Sequence, residues 1–106
     1  MKIVICGSVK NSIDEINIAA AYFERLFKNV ENLLEIVTPE IKIESIYKAQ
    51  LIYVREIKSA DLVVIVPKFI NYENTFHIYD IGESTSYEMA IAKSCNIPVI
   101  IWKGNN

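Results

Sequence analysis

The sequence predicts an α/β domain on a parallel sheet, because strand-length apolar runs alternate with segments of helical period. The segments Lys2 to Cys6 and Asp61 to Pro67 each hold a run of mostly β-branched apolar residues. Such runs are typical of parallel strands buried on both faces. The chain has 106 residues and 52% of them are hydrophobic. Residues 1–106 are therefore expected to form a single α/β domain around one core.

The expected elements follow in the order strand, helix, strand, helix, strand, loop, helix, strand. Ser12 is the expected cap of the first helix, because Glu15 stands three positions further on and apolar residues then recur at helical spacing. Residues 68–83 show no clear period, so a long loop is expected there. The expected strands are Lys2 to Cys6, Leu33 to Val37, Asp61 to Pro67 and Ile97 to Trp102, and the helices run from Ser12 to about residue 28, from Ile46 to Ala60 and from Ser84 to Cys95.

This order predicts a flavodoxin- or Rossmann-like sheet with strand order 2-1-3-4, right-handed crossovers and helices on both faces. In such a sheet the chain reverses direction between the first and third strands. Ligands bind just beyond the strand carboxyl ends at that reversal. The two segments expected there are Gly7 to Ser12 and Pro67 to Glu83.

Composition excludes several functional classes. The net charge is −2 without any run of basic residues, which argues against a nucleic-acid binder. No apolar stretch is long enough to span a membrane. Cys6 and Cys95 stand far apart, so both are expected to be buried, reduced thiols of a cytoplasmic protein. Because His77 is the sole histidine, no metal site is expected.

The segment Asp80 to Glu88 joins the expected loop to the last helix. Gly82 is expected to permit a tight turn, and Ser84, Thr85 and Ser86 offer hydroxyls and free amides that suit a phosphate or carboxylate. Glu88 could then attack an electrophilic sugar carbon as a nucleophile. The alternative is a capping box, in which Thr85 caps the helix and Glu88 only satisfies a backbone N–H.

The turn after the first strand reads Cys6-Gly7-Ser8-Val9-Lys10. Gly7 would let a ligand approach the backbone, Ser8 can donate to an oxyanion, and Lys10 can add positive charge. The glycine spacing of a dinucleotide fingerprint or a P-loop is absent. An ordinary strand-to-helix turn without a ligand is the alternative.

Four motifs in the same order resemble the nucleoside 2-deoxyribosyltransferase superfamily, which includes deoxynucleoside 5′-monophosphate N-glycosidases. They are Cys6-Gly7-Ser8, Ser59-Ala-Asp-Leu-Val-Val64, Gly82-Glu-Ser-Thr-Ser-Tyr-Glu-Met-Ala90 and Ile97-Pro-Val-Ile100. They are distributed from the first strand to the last, so the resemblance covers most of the chain. Their order and spacing carry the resemblance more than any one of them does.

The resemblance implies a function and a site. Glu88 matches the nucleophilic glutamate that attacks the anomeric carbon of a deoxyribose, and Ser8 matches a serine that contacts the sugar or its 5′-phosphate. Lys10 falls where a phosphate-binding residue is often found, and Ser84 to Ser86 would line the same pocket. The implied ligand is a nucleoside or nucleotide, with no cofactor. The implied assembly is a homodimer or larger homo-oligomer whose neighbouring subunit completes the site.

The chain departs from the family pattern at two points. Val4 and Ile5 occupy the stretch where family enzymes carry a tyrosine, and the segment Tyr53 to Glu56 lacks the aspartate that acts as general acid. Glu56, Asp80 or Glu83 would have to protonate the leaving base instead. Two functions therefore stay open: an N-glycosidic hydrolase or transferase, and a nucleotide-binding module without turnover. A flavodoxin-like protein is a third reading, but no redox motif supports it.

Overall fold

The structure, a computed structural model, describes residues 1–28, 33–39, 46–72 and 76–104, and for residues 46–49, 69–72 and 76–80 it describes the backbone only. Strands and helices alternate along most of the chain. In chain order they are β1 (Lys2–Gly7), α1 (Val9–Leu26), β2 (Glu35–Val37), α2 (Ile46–Lys58), β3 (Leu62–Val66), β4 (Lys68–Tyr72), β5 (Phe76–Asp80), α3 (Glu83–Ser94) and β6 (Val99–Ile101).

The main sheet has four strands in the order β2-β1-β3-β6, and every neighbouring pair is parallel. This confirms the α/β class and the predicted order 2-1-3-4, with β6 as the fourth strand. In the two central strands Ile3 to Cys6 and Val63 to Val66 are buried, as expected for strands covered on both faces. The register places Cys6 beside Ile65 and Gly7 beside Val66, which aligns the carboxyl ends of β1 and β3.

Helices cover both faces of this sheet. Because side chains alternate along a strand, β1 sends Ile3 and Ile5 to one face and Val4 and Cys6 to the other. The first face packs against α1 in a cluster of buried residues: Ile3, Ile5, Ile16, Ala19, Phe23, Val64, Val66 and Trp102. The second face packs against α2 and α3 in another: Val4, Cys6, Ile57, Val63, Ile65 and Ala92.

The two cysteines differ in exposure, although both were expected to be buried. Cys6 is buried within the second cluster, as predicted, and its thiol is free. Cys95 is also a free thiol, but it is exposed at the carboxyl end of α3, so the prediction of its burial is wrong. The reason is its position: Cys95 is the C-cap of the helix and lies beyond the last turn that packs on the sheet.

Helix α1 begins earlier than the sequence pattern predicts. Ser8 is the N-cap and its Oγ accepts a hydrogen bond from the Asn11 backbone N–H at 3.3 Å, whereas Ser12 is buried inside the helix with non-helical angles (φ −136°, ψ 23°). Glu15 has a tertiary partner instead of a capping role. Its Oε2 accepts a hydrogen bond from Trp102 Nε1 at 3.0 Å, which ties α1 to the end of β6.

The loop predicted for residues 68–83 is wrong over most of its length. Strands β4 and β5 pair antiparallel there, with Lys68 opposite Asp80 and Tyr72 opposite Phe76. Both segments are rich in aromatic and β-branched residues, which favour strands. The two strands pair with each other in a local hairpin outside the main sheet. Their sequences therefore lack the continuous apolar run that is typical of a buried parallel strand.

Candidate active site

A cavity of about 470 Å³ lies at the carboxyl ends of β1 and β3. It opens between the segment that follows β1 and the segments that follow β3, where the reversal of strand order predicts a ligand crevice. Both flanking helices present their amino-terminal ends to it. The described residues that line it are Gly7, Ser8, Asn11, Ser12, Val66, Lys68, Gly82, Glu83, Ser84 and Thr85.

The start of α3 supplies backbone donors to this cavity. Gly82 is the N-cap and makes no side-chain capping hydrogen bond, so the first-turn amides lack the usual side-chain acceptor. The alternative of a Thr85 capping box is therefore wrong: Thr85 is a buried residue within the first helical turn, not the cap. An uncapped helix start that faces a cavity is suited to bind an anionic group.

Glu88 lies one helical turn beyond Thr85, on the same side of α3. Cys6 is a titratable neighbour of Glu88, and each of these two groups influences the pKa of the other. Cys6 directly precedes Gly7, and both Gly7 and Thr85 line the cavity. The carboxylate is thus placed behind the cavity wall at the junction of β1 and α3, although Glu88 does not itself belong to the lining.

The half-buried position of Glu88 changes its acidity. Burial raises the pKa of the Glu88 carboxyl from an ordinary 4.5 to about 7, and the hydrogen bond from Cys6 opposes that rise. Burial also raises the pKa of the Cys6 thiol, and the adjacent carboxylate raises it further. Cys6 therefore remains a neutral S–H donor throughout the range in which Glu88 titrates.

Tyr53 completes the surroundings of this pair from α2. Its hydroxyl donates to the Ile5 carbonyl, and its ring packs against the buried cluster that contains Cys6. Burial, followed by the charges of Cys6 and Glu88, raises the pKa of Tyr53. Neither Cys6 nor Tyr53 was predicted from the sequence to lie beside Glu88. The strand alternation that places Cys6 on the α2 and α3 face was the available signal for the first.

The remaining predicted binding residues are distributed unevenly. Five of those named from the sequence line the cavity: Gly7, Ser8, Gly82, Ser84 and Thr85. Ser86 instead directs its Oγ to the Ile81 carbonyl at 3.5 Å. Lys10 is exposed and lies outside the lining, and Lys68 is a cation that does line it. Lys68 lies two residues after the end of β3, so the rule that located the crevice at the strand carboxyl ends could also have selected it.

The two glycines differ in their surroundings. A Cβ at Gly7 would lie 3.1 Å from both Ile16 Cδ1 and the Val66 carbonyl oxygen, so any larger residue there would be tightly packed between β1, α1 and β3. Gly82 has φ −63° and ψ 165°, an extended conformation open to any residue, and nothing lies within 4 Å of its Cβ position. The expected tight turn at Gly82 is therefore absent.

The three carboxylates considered as general acids lie in different environments. Glu56 forms an ion pair with Lys2 (Oε2 to Nζ, 2.5 Å), at the amino-terminal edge of the sheet and away from the cavity. The side chain of Asp80 lies outside the described residues. Glu83 is exposed and lines the cavity. Among the described side chains, Glu83 is thus the acid of this set that a ligand would meet.

Metal-binding and membrane-spanning features are both absent from the described ranges. There, no group of three or more His, Cys, Asp or Glu side chains is arranged to hold a metal ion. Nor does any helix in the same part of the chain have the length and apolarity needed to cross a bilayer.

Comparison with known proteins gives matches at the level of structure only. No family model matches the chain, and no curated protein does so. A 2-desoxiribosyltransferase from Leishmania mexicana superposes with a TM-score of 0.60 at 12% identity, covering 95% of this chain and 63% of that one. A 2-deoxyribosyltransferase from Bacillus psychrosaccharolyticus, described as a biocatalyst for the synthesis of antiviral and antitumoral nucleosides, gives 0.57 at 18% identity, covering 95% and 71%.

The chain thus spans a little less than two-thirds of the Leishmania enzyme. At these identities the likeness concerns the fold. The parallel four-stranded sheet and its helices are shared with solved 2-deoxyribosyltransferases, to which the chain has a distant structural relationship.

Proposed function

We propose that the protein is a nucleoside 2-deoxyribosyltransferase-like enzyme that cleaves or transfers the N-glycosidic bond of 2′-deoxynucleosides or their 5′-monophosphates. The observation that carries the proposal is the position of Glu88. It is a half-buried carboxylate behind the wall of a cavity at the strand carboxyl ends, with its pKa raised to about 7. Perturbed carboxyl groups of this kind concentrate at functional sites.

In the proposed reaction one oxygen of the ionised Glu88 carboxylate attacks the anomeric carbon of the sugar. The C–N bond to the base breaks, and the base leaves with the bonding electron pair and gains a proton. The product is a sugar ester of Glu88. Water, or a nitrogen of a second base, then attacks the same carbon, loses a proton and releases the carboxylate.

The cavity supports an anionic or hydroxyl-rich ligand end. It is lined by the uncapped start of α3, by the hydroxyl residues Ser8, Ser84 and Thr85, and by Lys68. Oriented amides and one ammonium suit a 5′-phosphate or a 5′-hydroxyl. Gly7 and Gly82 leave the backbone of both walls uncovered by side chains.

We assign protonation of the leaving base to Glu83. It lines the cavity within the first turn of α3, five residues before Glu88. Glu56, held by Lys2 at the far edge of the sheet, has no path to the same ligand. The test is substitution of Glu83 by glutamine, which should slow release of poor leaving bases far more than release of good ones.

The second candidate is a nucleotide-binding module that uses the same cavity without turnover. The exposure of Glu83 favours it, because a catalytic acid usually needs a desolvated, fixed position. The aliphatic residues Val4 and Ile5 favour it as well, since they are wholly buried in β1 and offer no polar group to a ligand.

We further propose that the protein assembles as a homodimer through α1. This helix exposes Ile18, Tyr22 and Leu26, which recur at four-residue spacing along one face. In an antiparallel two-fold pairing centred on Tyr22, Ile18 would face the partner's Leu26. Such self-complementary pairing of apolar positions is what a two-fold interface requires.

Chromatographic measurement of base release tests the enzyme proposal. The purified protein is incubated with each common 2′-deoxynucleoside and 5′-monophosphate, alone and with a second free base. Release or exchange that is lost in Glu88→Gln supports glycosyl transfer. No release from any compound, together with a rise in melting temperature on adding one of them, would replace the enzyme with the binding module.

A further inference from the structure

Lys68 lies where three segments of the chain meet at the cavity. It is two residues beyond Val66, and the register of the main sheet places Val66 beside Gly7. In the hairpin of β4 and β5, Lys68 is paired with Asp80, which is two residues before Gly82, the N-cap of α3. The Cα atoms of paired residues on antiparallel strands are only about 4.5 to 5.5 Å apart. The two registers therefore bring this lysine beside the start of α3 and the end of β1.

Hydrogen-bond donors from both flanking helices line the same cavity. At α3, the first-turn amides lack a side-chain acceptor, because Gly82 is the N-cap. At α1, Ser12 lines the cavity although it is only 6% exposed, and no hydrogen bond between the described groups involves its hydroxyl. Since buried polar groups are normally hydrogen-bonded, a ligand in the cavity is a suitable partner for that hydroxyl.

We propose that Lys68 is a specificity-determining residue: its ammonium group pairs with the 5′-phosphate of a 2′-deoxynucleoside 5′-monophosphate and so selects this substrate over the free nucleoside. The inference rests on the proposed function and narrows its substrate class. A phosphate monoester carries a charge of about −1.5 to −2 at pH 7 and has three acceptor oxygens. It therefore matches one ammonium group, the amides of a helix start and a hydroxyl. A neutral 5′-hydroxyl needs no cation.

The other charged residues near the cavity have different positions or roles. Glu83 lines the cavity, and its carboxylate would repel a phosphate, which agrees with its proposed role at the leaving base. Lys10, the basic residue that the family resemblance favours, is exposed and lies outside the lining. Among the described lining residues, the positive charge thus comes from Lys68. Lys10 serves as a matched control, because it is a lysine near the same cavity that does not line it.

Isothermal titration calorimetry tests the inference independently of turnover. The Glu88→Gln variant is titrated with a 2′-deoxynucleoside, its 5′-monophosphate and inorganic phosphate, alone and combined with Lys68→Gln, Lys68→Arg or Lys10→Gln. A hydrogen bond to a charged group corresponds to about 10- to 100-fold in affinity. Lys68→Gln should therefore weaken monophosphate binding by about 10- to 100-fold and leave nucleoside binding unchanged. Lys68→Arg and Lys10→Gln should both keep the preference for the monophosphate, and inorganic phosphate should bind more weakly than the monophosphate.

Four results would overturn the inference: equal affinities for the monophosphate and the nucleoside with Lys68 intact, an equal loss of both ligands in Lys68→Gln, the same loss of preference in Lys10→Gln, or inorganic phosphate that binds as tightly as the monophosphate. Ionic strength provides a second measurement that needs no variant of Lys68. From about 0.05 to 0.5 M NaCl, monophosphate affinity should fall while nucleoside affinity stays constant. An equal response of the two ligands to salt would contradict a charge-based selection.

Failure of the proposed reaction stays distinguishable from failure of this inference. A preference for the monophosphate without base release from the wild type would overturn the reaction and leave Lys68 as the residue that selects the ligand. Base release from nucleosides and monophosphates with equal kcat/KM would overturn the role of Lys68 and leave the reaction. Binding of neither compound would overturn both.

Discussion

Glu88 should make the protein less stable at high pH. Its folded-state pKa, about 7, lies above its unfolded value of 4.5, so the native state binds the proton more tightly. Its contribution to stability is therefore fully present below pH 4.5 and is lost as the pH rises through 7. A carboxylate kept in such a position despite this cost is typical of a functional group.

Glu88→Gln is expected to be more stable than wild type at pH 8 by roughly 1 to 3 kcal/mol, since one pKa unit corresponds to about 1.4 kcal/mol. Near pH 4 the two free energies of unfolding should converge, because Glu88 is then protonated in both states. Urea unfolding at both pH values measures the difference. A gap that is larger at pH 4 than at pH 8 would contradict the assigned ionisation.

The two thiols should differ in reactivity. Cys6 is buried with its pKa raised by burial and by Glu88, whereas Cys95 is exposed at the end of α3. A disulfide reagent attacks thiolates, so one equivalent is expected to react quickly in the native protein and the second only on unfolding. Peptide mapping should place the fast site at Cys95. Fast modification of Cys6 would contradict its burial in the core.

The two glycines provide a matched pair for stability. Gly7→Ala forces a Cβ to within 3.1 Å of Ile16 and Val66, so the free energy of unfolding should fall by about 1 to 3 kcal/mol. Gly82→Ala meets open space and ordinary backbone angles, so its effect should stay within about 0.5 kcal/mol. Thermal melting compares the two variants. Equal losses would show that the tight packing at Gly7 has no energetic weight.

Helix α1 shows where pattern reading succeeds and where it fails. The apolar spacing of Ile16 and Phe23 identified the buried face of the helix. It could not identify the first turn, because Ser8 and Ser12 are both acceptable caps and the choice depends on where β1 ends. Glu15 fitted a capping box equally well by spacing, and only the tertiary position of Trp102 decides its partner.

Ser8→Ala removes the cap of α1, so the free energy of unfolding should fall by about 0.5 to 2 kcal/mol. Ser94→Ala is the control. It removes an exposed hydroxyl bound to the Ile91 carbonyl near the end of α3 and should change stability by less than about 0.5 kcal/mol. Chemical denaturation separates the two. An unchanged free energy of unfolding in Ser8→Ala would contradict the assignment of Ser8 as the N-cap of α1.

The hairpin of β4 and β5 marks the limit of prediction for the fold. Strand order in the main sheet followed from the buried apolar runs of β1 and β3 and from the helices between strands. The hairpin has neither a continuous apolar run nor a strong turn dipeptide, so nothing separated it from a loop. The site was predictable to the same degree. Topology located the cavity, but the burial that raises the pKa of Glu88 depends on how α3 packs on the sheet.

Assembly through α1 predicts a specific response to charge. Ile18→Glu places a carboxylate in the proposed two-fold interface and should convert a dimer to a monomer in light scattering coupled to size-exclusion chromatography. Leu51→Glu, at an exposed apolar residue of α2, is the matched control and should leave the mass unchanged. A monomeric wild type, or dissociation by the α2 variant instead, would contradict this interface.

Mass spectrometry of acid-quenched protein is the most direct test of whether Glu88 forms a covalent bond to the sugar. The protein is mixed with a 2′-deoxynucleoside or its 5′-monophosphate, quenched in the first turnovers and digested. The expected result is the mass of one deoxyribosyl group, with its phosphate where present, on the peptide that contains Glu88, and no adduct in Glu88→Gln. Base release without any adduct, or an adduct on another residue, would contradict a nucleophilic role for Glu88.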